Sequence, residues 1–144
     1  MKLKLRNFYY LLSLLFVFVI PVVIQAYFVW SRISLFDLIT FMVLMTVMGG
    51  IWDIWATRHG ERDPIWLWQF NFKNTLGIKL FDLPIEEYLF YVVSSVSIVF
   101  FWETIKFTRE TGSLFLYGVL SFVSLWCLFF ILVPYIIFNR KDKL

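Results

Sequence analysis

Apolar residues in this chain run in blocks too long and unbroken for half-buried strands or amphipathic surface helices. Residues 8–31 and 111–139 carry no charge, and each block exceeds the roughly 20 residues a helix needs to cross a bilayer. Two further blocks, 38–56 and 83–102, are similarly apolar but hold acids near one end: Asp53 in the first, Glu86 and Glu87 in the second. The pattern predicts an all-α integral membrane protein with about four transmembrane helices, at about residues 8–30, 38–56, 83–102 and 113–138. Together they form a single transmembrane domain over 1–144, with no internal repeat and no soluble domain.

Polar and special residues punctuate these blocks. Pro21 predicts a kink in the first helix, which membrane helices tolerate because neighbouring groups can satisfy the freed carbonyl. The link over 31–36 is short enough for only a turn, so the first two helices are expected to be antiparallel neighbours. Gly49 and Gly50 permit close approach of another helix or of a bulky ligand. A long segment, 57–82, separates the second and third helices, and the charges from Arg58 to Asp63 mark where the chain leaves the bilayer. Ile65, Trp66, Leu67, Trp68, Phe70 and Phe72 are too apolar for a solvated tether, so this segment is expected to lie on the membrane surface or fold back over the helices. Pro84 suits the first position of the third helix, with Glu86 and Glu87 in the same first turn. Residues 103–110 read as the far loop.

Composition agrees with lipid as the solvent, since a chain of 144 residues that is 61% apolar and 22% aromatic cannot hide that surface in a soluble core of this size. The net charge of +3 is informative by position, because Lys and Arg are retained in short cytoplasmic segments. With the N-terminus inside, those segments hold Lys2, Lys4 and Arg6, then Arg58, Arg62, Lys73 and Lys79, then Arg140, Lys141 and Lys143; Arg32, Lys106 and Arg109 fall opposite. Both termini are therefore expected in the cytoplasm, in a multi-pass protein of the cell membrane, with no role for these residues in binding nucleic acid. Residues 1–26 have the basic-then-apolar shape of a signal peptide, but the apolar run continues without a clear small-residue cleavage site, which favours a retained anchor. Cys127 is the single cysteine and His59 the single histidine, so neither a disulfide framework nor a cysteine-based metal site is expected. The closing Lys-Asp-Lys-Leu reads as a solvated basic tail rather than a retention signal.

Three acids deserve a chemical reading. Asp53, Glu86 and Glu87 flank the long aromatic segment at one membrane face, because the second helix ends where the third begins. An ionisable group inside a span costs about 2.5 to 3.5 kcal/mol on insertion scales, so each is a functional candidate. Plain alternatives exist: acids in the first turn gain about 0.3 to 1 kcal/mol from the helix dipole, and Asp53 could pair with Arg58 or Arg62. Trp52, Trp55, Trp66 and Trp68 suit an interfacial aromatic belt. Adjacent helix positions diverge by about 100°, so one glutamate is expected to face the bundle while the other caps the helix or pairs with a basic loop residue.

The run Trp52-Asp53-Ile54-Trp55, the segment 66–70, and the stretch from Gly77 through Leu83-Pro84-Ile85-Glu86-Glu87-Tyr88-Leu89-Phe90-Tyr91 together resemble the membrane-embedded lycopene cyclase domain family, whose signature is Pro-x-Glu-Glu. The resemblance covers about residues 45–103, while the outer helices match only as apolar spans. It departs from the family pattern where a short Gly-x-Trp link is replaced by Gly60-Glu61-Arg62-Asp63-Pro64-Ile65-Trp66, and in carrying a fourth helix. The resemblance implies an isomerase of the intramolecular lyase type that turns linear lycopene ends into rings, with this chain as one half of a two-subunit enzyme. Its partners would be lycopene or a related carotenoid, the lipid bilayer, and a second cyclase half or a second copy.

Such ring closure needs a proton delivered to a terminal double bond, cyclisation through a tertiary cation, and removal of a proton, with no redox change. A carboxyl group in an apolar, partly dehydrated site can remain protonated and serve as general acid. Glu86 or Glu87 is the expected acid and Asp53 its partner. Aromatic faces attract cations by about 0.5 to 2 kcal/mol each, a role open to Trp52, Trp55, Trp66, Trp68 and Phe90. No G-x-G-x-x-G follows a strand and no dinucleotide domain fits, so neither an organic cofactor nor a metal is expected. Two other readings compete: a non-catalytic membrane scaffold or partner subunit, and a small proton-coupled multidrug exporter. The exporter would place its acid near the midplane of a span, whereas Glu86 and Glu87 fall at a helix start.

Overall fold

The computed structural model describes residues 5–60 and 75–141. The fold is all-α and of membrane type, with three helical segments long and apolar enough to cross a bilayer: Tyr9–Arg32, Leu35–His59 and Ile85–Thr111. A fourth helix adds the apolar stretch Leu114–Phe130. Along the chain the elements are α1 (Tyr9–Leu14), a π-helical turn (Leu15–Val19), α2 (Ile20–Val29), α3 (Leu35–Gly60), β1 (Lys79–Leu80), β2 (Leu83–Pro84), α4 (Ile85–Thr111) and α5 (Leu114–Lys141). A short 3₁₀ turn, Leu5–Phe8, precedes the first span, and another, Trp30–Arg32, closes it. The residues group into two compact units: Met1–Leu14 with Ser34–Val96, and Leu15–Ile33 with Ser97–Leu144.

In the first unit, Ser34 starts α3 by accepting the Asp37 N–H on its Oγ at 3.3 Å, a side-chain cap for one of the unpaired first-turn donors. The polar residues from Arg58 do not end this helix as the sequence suggested; it continues to Gly60. His59 carries it onward by stacking on Trp55, with ring centroids 4.8 Å apart, and by its Nδ1 contact of 2.7 Å with the Trp55 carbonyl. Residues 61–74, which include Trp66 and Trp68, lie outside the described residues.

The approach to α4 is a two-stranded antiparallel hairpin, Lys79 opposite Pro84 and Leu80 opposite Leu83. Phe81 and Asp82 form its turn at φ of 50° and 70°, the left-handed geometry of a type I′ hairpin turn that usually takes Asn and Gly. For residues with a Cβ this conformation costs roughly 1–2 kcal/mol each. Leu83 and Pro84 are buried, β2 packs on α3, and Ile85 N–H donates to the Ile78 carbonyl at 3.0 Å. Pro84 is therefore the last strand residue rather than the first helical one, and α4 starts at Ile85. The missing N–H of proline is harmless at either position.

In the second unit, the break expected at Pro21 takes the form of the π turn just before it. Proline cannot donate to the carbonyl four residues earlier, which is that of Val17. Cys127 Sγ–H donates to this oxygen at 3.6 Å, and Trp126 Nε1–H donates to the neighbouring Phe16 carbonyl at 2.7 Å. Helix α5 thus supplies donors to backbone oxygens that lipid could not satisfy. Phe16 and Phe130 stack beside them at 5.7 Å.

Residues 103–110, read from sequence as a loop, belong to α4. Glu103 pairs with Lys106 one turn away at 2.5 Å, and Glu110 pairs with Arg32 at 2.6 Å, whose guanidinium also lies 5.0 Å from the centre of the Phe107 ring. These pairings let the polar turns stay helical. Gly112, at φ 62°, ends the helix in the left-handed conformation that glycine adopts without Cβ strain.

Candidate active site

Two of the three candidate acids, Asp53 and Glu87, come together within the first unit, on facing surfaces of α3 and α4. On α3, Gly49 and Asp53 are four residues apart and share a face; on α4, Glu87 and Tyr91 do the same. Tyr91 O–H donates to Asp53 Oδ2 at 2.6 Å. Its ring occupies the space above Gly49, where an added Cβ would stand 2.1 Å from Tyr91 Cε1. Gly50 is likewise covered, with the Tyr88 ring 3.4 Å from where a Cβ would stand, and Tyr88 O–H donates to the Leu80 carbonyl of the hairpin at 3.0 Å. The glycine pair therefore serves a helix contact, as its small size allowed.

Helix α1 contributes the third wall. Tyr10 O–H donates to Glu87 Oε2 at 2.5 Å. The carboxyl groups of Asp53 and Glu87 lie close enough to each other to interact. Tyr10, Glu87, Asp53 and Tyr91 thus form a polar chain shared by three helices. Asp53 is fully buried and Glu87 is 7% exposed, so this chain is set in protein rather than in water.

Glu86 points elsewhere, as the 100° step between neighbours requires. It is also fully buried, and its Oε1 accepts the Leu76 N–H at 2.5 Å. Asn7 Nδ2 donates to the adjacent Thr75 carbonyl at 3.1 Å, so residues 75 and 76 are held from two sides. Among the described residues, Glu86 takes a backbone amide and Glu87 a phenol. Arg58 pairs with Asp82 at 3.5 Å instead of with Asp53. Asp53 Oδ1, Glu86 Oε2 and Thr57 Oγ1 are buried with no hydrogen-bond partner among the described residues.

The aromatic candidates divide. Trp52 and Trp55 are 52% and 46% exposed and pack on each other at 5.2 Å, a placement that suits the interfacial belt. Phe90 lies edge-on to Tyr91 at 5.4 Å, next to the polar chain. Among the described residues, no cluster of three or more His, Cys, Asp or Glu side chains is arranged to hold a metal. Sequence reasoning missed both tyrosines. Tyr91 had a signal, its spacing of four from Glu87 on a helix; Tyr10, one aromatic among many in an uncharged span, had none.

A family model described as lycopene cyclase matches residues 6–105. The chain belongs to the lycopene cyclase family. The match begins ahead of α1 and so takes in Tyr10 as well as Asp53, Glu86, Glu87 and Tyr91, a wider reach than the 45–103 resemblance. In this lycopene cyclase family member α5 lies beyond the matched region. No curated protein and no solved structure matches the chain.

Proposed function

We propose that this chain is one half of a membrane-embedded carotenoid ring cyclase, an isomerase that closes the linear ends of lycopene or a related carotenoid by acid initiation. The observation that carries the reading is the buried Asp53–Glu87 carboxyl pair, each member holding a tyrosine hydroxyl from a different helix. An acid that must protonate an unactivated double bond needs a site without competing water, and general acid catalysis from a positioned group is worth about 10²–10⁴-fold.

In this reading the pair holds one proton. Its transfer to the terminal double bond leaves a tertiary cation, a second double bond of the chain attacks that cation to close the ring, and the resulting cation loses a proton to the pair. The proton count returns to its starting value, and no electron leaves the substrate. Phe90 presents a ring to the cation. Asp53 and Glu87 hold the proton and take it back, whereas Glu86, held by the Leu76 amide, positions the segment before the hairpin. The carboxylate remaining in the pair is the counter-charge that stabilises the cation.

A hydrocarbon substrate reaches such a site from the bilayer, which fits a multi-pass protein of the cell membrane. The distribution of Lys and Arg supports both termini in the cytoplasm, placing the pair at the cytoplasmic ends of the spans. A second half or a second copy of the chain would complete the enzyme. The test is chromatography of pigments from lycopene-accumulating bacteria that express the chain alone or with a candidate partner half. Monocyclic or bicyclic carotenoids are expected; unchanged lycopene, with both proteins present in the membrane, would reject the cyclase reading in favour of a scaffold.

A further inference from the structure

The carboxyl pair is placed to hold a proton but not to touch a hydrocarbon. Asp53 has no exposed surface and Glu87 has 7%, while Tyr10 and Tyr91, at the two ends of the chain, are only part-buried. Whatever reaches the polar chain from outside meets a tyrosine first. Of the two ends, the Tyr91 end is the one built for this. Gly49 leaves the space into which the ring fits, the hydroxyl sits 2.6 Å from Asp53 Oδ2, and Phe90, an aromatic face suited to a cation, stands edge-on to the same ring at 5.4 Å.

Resting on the cyclase reading, we propose that Tyr91 is the catalytic residue that hands the proton to the substrate, relaying it from the Asp53–Glu87 pair. The short Tyr91–Asp53 hydrogen bond serves both directions. With the proton on Asp53, the phenol oxygen accepts and its own hydrogen turns to the substrate. In the step, the phenol O–H bond breaks as a C–H bond forms at the terminal alkene carbon. The alkene π pair becomes that new bond and leaves a tertiary cation, while the phenol oxygen takes the Asp53 proton. Tyr91 ends neutral, and the pair carries the full negative charge until the ring gives a proton to the phenol oxygen, which passes its own hydrogen back to Asp53. The phenol thus never has to exist as a free phenolate beside the cation.

The dependence on phenol acidity separates this role from a merely structural one. A phenol that only orients a carboxylate contributes one hydrogen bond to a charged group, and its loss lowers the rate by about 13- to 160-fold. Loss of the terminal acid lowers it by roughly 10²-fold or more. The experiment uses membranes from the ring-forming strain, with kcat and KM measured for lycopene supplied in liposomes and protein amount matched by immunoblot. Tyr91→Phe keeps the ring above Gly49 and removes the hydroxyl alone; kcat is expected to fall by roughly 10²-fold at unchanged KM. A second series replaces Tyr91 by genetically encoded fluorotyrosines, which change the acidity of the phenol with little change in shape. Rates that follow that acidity support the relay.

A Tyr91→Phe enzyme within about tenfold of the parent, or fluorotyrosine rates that ignore acidity, overturns the relay. If Glu87→Gln abolishes ring formation in the same membranes, the cyclase reading then stands without it. An unsubstituted chain that forms no ring with any partner overturns both.

Discussion

Gly49 shows how one hydrogen atom in place of a methyl group sets up a distant proton donor. The Tyr91 ring crosses α3 at Gly49, where no Cβ blocks it, and its hydroxyl then meets Asp53 one turn on. Gly49→Ala is expected to displace the ring, cost about 1–3 kcal/mol through overpacking, and lower ring formation about as far as Tyr91→Phe. Because both act on one contact, the double variant is expected to be little worse than either single one. Additive losses in pigment yield would show that Gly49 acts elsewhere. At Glu86 the acceptor matters more than the charge. Glu86→Gln can still accept the Leu76 N–H, whereas Glu86→Ala leaves it buried without a partner and is expected to cost about 1–3 kcal/mol in a denaturation series in micelles.

At the scale of elements, two irregular features organise the helices. One is the π turn ahead of Pro21, whose open carbonyls take hydrogen bonds from Trp126 and Cys127. Trp126→Phe is expected to destabilise the protein by about 0.6–2 kcal/mol, the range for interhelical hydrogen bonds in lipid; an unchanged unfolding midpoint would mean that this contact contributes nothing. The other is the hairpin that delivers Pro84 and the two glutamates to the start of α4. Its turn residues bear unfavourable φ angles, and Phe81→Asn with Asp82→Gly is expected to raise stability by about 1 kcal/mol by matching the turn type. The exposed Arg58–Asp82 pair lost in that variant is worth little.

Neither feature was legible in advance to the same degree. Proline announces a freed carbonyl, but which helix supplies the donors depends on tertiary register, and Trp126 reads from sequence as one more apolar position. The hairpin was hidden because Phe-Asp is a poor type I′ pair, and because Pro84 followed by Glu-Glu imitates a helix start. The extension of α4 through residues 103–110 was missed because their charges read as exit from the bilayer, before their partners were known.

For the whole molecule, the spans follow from apolar block length, and the three acids were identifiable because charge is expensive in lipid. That Asp53 would meet a glutamate was legible as well; which glutamate, and the tyrosines that hold the pair, were not, since Tyr10 lies nearly eighty residues from Glu87 in sequence. The central claim is that the Asp53–Glu87 pair, rather than the Pro-x-Glu-Glu motif as a whole, carries the initiating proton. The most direct measurement is the carotenoid profile of the ring-forming strain carrying Asp53→Asn, Glu87→Gln or Glu86→Gln, with membrane levels matched. The first two are expected to lose ring formation by roughly 10²-fold or more, while Glu86→Gln keeps a substantial fraction of it. Full activity in Glu87→Gln, or its loss in Glu86→Gln alone, would contradict the account.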